Sequence, residues 1–141
     1  MPPSSSVLLR FCAPVVHGQG RGRTIGTPTM NLALSHVPPD LPEGIYAAIA
    51  TIGQRRFPAA LHFGPRPVFR AGRACELHII DTVLTAPPER VTVEIIERLR
   101  DIRNFKTLSL LKRQIARDIA RVKRLLQWKD VPVARLNAKL E

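Results

Sequence analysis

The hydrophobic pattern of this chain changes period once, near residue 106, and that change limits the folds open to it. Before it, short apolar runs alternate with turns built on Gly and Pro; after it, apolar residues recur at three- and four-residue steps. Val7 to Val16 reads as an edge strand carrying a bulge, because Arg10 and Pro14 interrupt it. Gly44 to Ile52 is a second run, and Arg56 to Phe63 is placed to pair with it as a hairpin through Gly53-Gln54-Arg55. Ala74 to Ile80 gives a further strand. In Arg90 to Ile96, Val91, Val93 and Ile95 alternate with Thr92 and Glu94, which belong on the wetter face. Short strands between Gly/Pro turns predict a small antiparallel barrel. Leu108, Leu111, Ile115, Ile119, Val122 and Leu126 then fall on one face of a helix that Thr107 is placed to cap. Lys112, Arg113, Arg117, Arg121 and Arg124 take the other side. The expected organisation is a flexible leader over 1–6, barrel plus helix over 7–128, and a tail of lower order over 129–141.

At 141 residues the chain suffices for one domain with its own core and needs no disulfide or metal staple. Cys12 and Cys75 have no metal spacing and lie in apolar runs, so both read as buried thiols in a reducing compartment. No apolar stretch approaches a membrane span, and the first six residues lack the basic and apolar regions of a secretory signal, so the cytoplasm is the expected location. The formal charge of +11 predicts attraction to polyanions. Much of that charge sits on the C-terminal helix, and aromatic residues are 5% of the chain, so stacking platforms for single-stranded nucleic acid are few. A solvated basic face accounts for most of it.

Two segments carry candidate chemistry. In Gly18-Gln19-Gly20-Arg21-Gly22-Arg23, glycines let backbone N–H groups approach an anion while the arginines add charge. Thr29 and Asn31, just downstream, offer neutral oxygens two residues apart, which suits a hard cation shared with nucleotide phosphates. The run fits neither a Walker A loop, which ends in Gly-Lys-Ser/Thr, nor a dinucleotide fingerprint, since Gly20-x-Gly22-x-x-x-Gly26 is one residue too long and meets Pro28. By composition alone such a loop is more often a mobile basic turn than a phosphate cradle. The second segment is the strand around Glu76. A carboxylate partly buried there would tend to have a raised pKa and could withdraw a proton from an alcohol. Taken by itself, the strand favours the plainer reading, in which Glu76 points outward beside His78 on alternate spacing. His17, His36, His62 and His78 form no metal-ligand spacing.

Taken in order, these segments resemble the riboflavin kinase (flavokinase) family. The resemblance rests on His17-Gly18 through Gly20-Arg21-Gly22-Arg23 to Ile25-Gly26-Thr27-Pro28-Thr29-Met30-Asn31-Leu32, then Pro42 to Ala47, Gly64 to Phe69, Glu76 to Asp81, and Leu99-Arg100 through Asn104-Phe105 with the helix behind. It implies a six-stranded antiparallel Greek-key barrel with a C-terminal helix, and transfer of the γ-phosphoryl of ATP to the 5′-hydroxyl of riboflavin, giving FMN and ADP. On that resemblance Gly18, Gly20, Gly22 and Arg23 serve the nucleotide phosphates, and Thr29 and Asn31 hold Mg²⁺. Thr29 and Ile79 lie beside ATP, Glu76 is the general base, and Arg100, Arg103 and Phe105 lie near the flavin. A monofunctional enzyme that stops at FMN, acting as a monomer, is the expectation.

The pattern departs from the family in three places. His62-Phe63-Gly64 stands where Asn-Ile-Gly is common, and Val68 where Thr is common. Thr82 to Glu89 replaces an Asp-Leu-Tyr-Gly-like turn that helps enclose the nucleotide, which puts nucleotide preference in question. Two rival readings follow: a basic β-barrel that binds RNA, and a flavin- or nucleotide-binding relative without catalysis.

Overall fold

The computed structural model describes residues 7–16, 29–65, 72–84 and 86–128, so the leader, the glycine run with Gly18, Gly20, Gly22 and Arg23, and the tail lie outside the described residues. Six antiparallel strands close a barrel: β1 (Leu9–Val16), β2 (Met30–Leu32), β3 (Gly44–Ile52), β4 (Arg55–Pro65), β5 (Arg73–Ile79) and β6 (Arg90–Arg100). The spatial order is β1-β2-β5-β4-β3-β6, with β6 pairing back onto β1. The steps from β2 to β3 and from β5 to β6 skip neighbours, which gives the barrel its Greek-key path. A single long helix, α1 (Leu108–Trp128), follows.

Strand alternation divides the apolar residues into two cores. Phe11, Met30, Leu32, Tyr46, Phe57, Leu61, Phe63, Leu77, Val91 and Val93 point inward and fill the barrel. Ile45, Ala47, Ile49, Ile80, Ile96 and Leu99 point outward and are covered by Val122 and Leu126 of α1. The helix therefore seals one outer flank of the barrel, against β4 and β3. Its first turn is capped as its sequence predicts, the Leu110 N–H donating to Thr107 Oγ1 at 3.2 Å. Of the expected apolar stripe, Leu111, Val122 and Leu126 are buried, whereas Leu108 is 39% exposed. Asp81 takes a left-handed φ of 58° in the turn two residues beyond β5, as suits a turn aspartate, and Lys123 Nζ lies 2.6 Å from its Oδ2.

Five differences from the sequence reading have physical causes. Val7 to Val16 is not an edge, because barrel closure pairs β1 with β2 and β6. The β3–β4 link is Gly53-Gln54 alone, with Gly53 at φ 63°, the left-handed conformation a tight hairpin turn favours. β6 runs past Ile96 to Arg100, because register shifts opposite Ile45/Tyr46 and Ala47/Ala48 leave Leu99 and Ile96 as extra residues. These bulges aim both side chains outward at the helix and break the period-two signal. Glu94 is only 7% exposed, since Arg10 and Arg56 close over its carboxylate at 2.9 and 3.1 Å. Cys75 is buried and its thiol is pushed up to about 12 by that burial, whereas Cys12 is exposed on the outer face. Cys12 falls between inward-facing Phe11 and Ala13.

Candidate active site

The candidate chemistry gathers in one row across the outer face of the barrel. Asn31 of β2 stands opposite Glu76 of β5, Glu76 opposite His62 of β4, His62 opposite Ile45 of β3, and Ile45 opposite Arg100 of β6. The flanking residues Met30, Leu32, Cys75, Leu77, Leu61 and Phe63 belong to the barrel interior, so alternation turns Asn31, Glu76 and His62 outward. All three are partly buried. Neighbouring strands lie about 4.8 Å apart, so Glu76 has Asn31 and His62 as direct neighbours, one on each side.

Two members of the row carry unsatisfied polar atoms. Asn31 Oδ1 is buried with no hydrogen-bond partner among the described residues, and so are both ring nitrogens of His62. A buried acceptor without a partner costs about 1–3 kcal/mol, so a fold that keeps one at such a position has left a place for something to bind it. A carbonyl-type oxygen of this kind is a donor atom for a hard divalent cation. Burial pushes the His62 imidazole below its usual pKa, against the opposing pull of the Glu76 carboxylate, so the ring is neutral near pH 7.

The ends of the glycine run adjoin this point. Val16, the last described residue before it, pairs directly with Asn31, and Thr29, the first described residue after it, precedes β2 by one position. Thr29 and Asn31 flank inward-facing Met30, which places them on the same side. Both are partly buried.

At the far end of the row, β6 and α1 build a second cluster. Arg100 Nε and Nη2 donate to Asp118 Oδ1 and Oδ2 at 3.0 and 2.8 Å, a bidentate pair with side-chain exposures of 17% and 9%. Gln114 Nε2 donates to Asp118 Oδ1 at 3.0 Å, and Arg103 Nη2 donates to Gln114 Oε1 at 2.9 Å. Both guanidinium groups then lie over the Phe105 ring, 6.0 Å away for Arg100 and 5.7 Å for Arg103. The cluster offers a partly covered aromatic ring with two cations close to it, each tied to α1 by a hydrogen bond.

The structure thus brings Thr29, Asn31 and Glu76 together and assembles Arg100, Arg103 and Phe105 at the other end of the same row. It does not bring the Ile79 side chain there; Ile79 is buried in the barrel interior, on the face opposite Glu76. Sequence reading missed three participants: His62, whose place beside Glu76 depends on register, and Gln114 and Asp118. Asp118 had a signal, being the only carboxylate of α1 and sitting among the apolar positions of its stripe.

Comparison with known proteins gives the family of the chain. The chain belongs to the flavokinase family, described as riboflavin kinase, which its residues 7–126 match. It is 34% identical over 106 residues to the bifunctional riboflavin kinase/FMN adenylyltransferase of Escherichia coli K12, covering 74% of this chain and 34% of that protein. The chain therefore spans about a third of the length of that relative. Among solved structures, a macrolide-efflux protein from Streptococcus pneumoniae superposes with a TM-score of 0.67 at 32% identity, covering 78% of this chain and 36% of the other. Riboflavin kinase from Trypanosoma brucei shares the fold, with a TM-score of 0.52 at 17% identity over 84% of this chain and 79% of its own. No helix among the described residues is long and apolar enough to cross a membrane.

Proposed function

We propose that this chain is an ATP-dependent riboflavin kinase, transferring the γ-phosphoryl of ATP to the 5′-hydroxyl of riboflavin to give FMN and ADP. The observation that carries the reading is the direct pairing of Asn31 with Glu76, with Asn31 Oδ1 buried and unpartnered. A cation ligand and a carboxylate on adjacent strands are what transfer to an alcohol requires: neutralised phosphate oxygens beside a proton acceptor.

Thr29 and Asn31 would hold a divalent cation, taken here as Mg²⁺. Such an ion neutralises charge on the phosphates when bound. The remaining roles fall to the chain itself. Glu76 accepts the hydroxyl proton as the acceptor oxygen bonds to the γ-phosphorus; the bond from that phosphorus to the bridging oxygen breaks, and ADP leaves with its electron pair. Gly18, Gly20, Gly22 and Arg23, outside the described residues, are assigned to the nucleotide phosphates because their segment is tied at both ends beside Asn31. The Phe105 ring, with Arg100 and Arg103, receives the flavin.

Incubation with riboflavin, ATP and MgCl₂ followed by chromatography tests the assignment. FMN should form, and a chelator should abolish it. Riboflavin binding without FMN would instead select the relative that has lost catalysis. Absence of both, with salt-sensitive RNA binding, would select the basic RNA-binding barrel.

A further inference from the structure

The His62 imidazole is the one buried, unpartnered group in the row that the chemistry above leaves unused. Neither nitrogen makes a hydrogen bond of good geometry among the described residues, the Pro65 backbone being a nearby polar influence, although the ring lies between the Glu76 carboxylate and the cluster around Arg100. The position has a sidedness. Asn31 and the ends of the glycine run flank Glu76 on the β2 side, which is the phosphate side; His62 flanks it on the β4 side, toward Phe105. His62 is the polar side chain of the row between Glu76 and Arg100, so it stands next in line for the connecting chain of an acceptor whose terminal hydroxyl reaches Glu76 and whose flat ring rests at Phe105.

The chemistry of the ring fits that chain. A neutral imidazole presents one donor and one acceptor. A hydroxyl can answer both, whereas a fully ionised phosphate has no proton to give the acceptor nitrogen. Burial keeps the ring in that neutral form. We propose that His62 is the polyol-binding group of this site, exchanging hydrogen bonds with the ribityl hydroxyls and thereby setting the terminal one against Glu76. This rests on the riboflavin kinase reading.

The test is fluorescence titration of the full chain with riboflavin and with a flavin carrying only a methyl group at N10, for wild type, His62→Phe and His62→Asn. His62→Phe should weaken riboflavin binding about tenfold or more, the size expected when a buried polar partner is lost, and leave the N10-methyl flavin unaffected. His62→Asn, which keeps a donor and an acceptor, should stay within about threefold of wild type. In turnover, His62→Phe should raise KM for riboflavin and leave KM for ATP unchanged. Unaltered riboflavin affinity in His62→Phe, or equal loss for both flavins, would overturn the proposal. If His62→Phe does not fold, as judged by circular dichroism, His62→Leu provides the same contrast with His62→Asn. Because binding is read without turnover, wild type that binds riboflavin with this selectivity but forms no FMN would refute the kinase reading alone.

Discussion

At the scale of single residues, the site depends on which groups are satisfied within the fold and which are not. Glu76 has Asn31, the proposed cation ligand, on one side and the His62 imidazole on the other, and its role is testable by removing charge at constant shape. Glu76→Gln should fold as wild type and bind riboflavin, while kcat falls about 10²–10⁴-fold; turnover near the wild-type value would take Glu76 out of the mechanism. Glu94 presents the opposite case, a carboxylate satisfied for structural reasons. Burial raises its pKa, but hydrogen bonds from Arg10 and Arg56 outweigh burial and hold it below the ordinary value of 4.5. The unfolded chain therefore binds this proton more readily than the fold. Its stabilising contribution is present above about pH 4.5 and is lost as pH falls through the lower folded pKa. Denaturant melts between pH 6 and pH 3 should show a shallower acid loss in Glu94→Gln than in wild type; identical slopes would exclude Glu94 as a source of acid sensitivity.

Elements explain why some of this was legible in sequence and some was not. The long strands and α1 were, because their apolar residues keep period two or recur every three to four residues over many positions. β2 was not: three residues, Met30, Asn31 and Leu32, are too short to show a period, yet they place Asn31 beside Glu76. The bulged residues Ile96 and Leu99 concealed the second half of β6 and with it the position of Arg100. Thr29, Asn31 and Glu76 were singled out, and expected to converge, through the family resemblance alone; spacing could not show which residues pair, since register between distant strands is a tertiary property. The same holds for Arg100, whose fixed orientation comes from Asp118 ten residues into the next element. Breaking a largely buried ion pair from one side strands the other charge. Asp118→Asn should lower stability by about 3 kcal/mol and also weaken flavin binding, because Arg100 is released from its place over Phe105. Loss of stability with unchanged flavin affinity would confine the pair to a structural role.

For the whole molecule, the barrel is closed unevenly, and its thinnest seam coincides with the proposed reaction centre. β3 and β4 pair without interruption from Gly44 opposite Phe63 to Ile52 opposite Arg55. β2, by contrast, is held to β1 through Val15/Leu32 and Val16/Asn31, and to β5 through Met30/Leu77 and Asn31/Glu76. The flank formed by β4, β3 and β6 has α1 packed over its outer core, whereas no residue of β2 belongs to that outer cluster. Few ladder hydrogen bonds, and no helix packed over it among the described residues, mean that β2 can open without unfolding the rest, and segments that admit ligands come from this low-stability end. Native-state hydrogen exchange should find the Met30 to Leu32 amides exchanging at least about tenfold faster than those of Ala48, Ala59 and Val93. Magnesium and a non-hydrolysable ATP analogue should slow the β2 amides selectively, because a ligand that binds the closed seam stabilises it by its own binding free energy. Slow exchange at β2 equal to that of β3 would mean that the barrel opens only as a whole, and substrate entry would then have to be sought elsewhere on the surface.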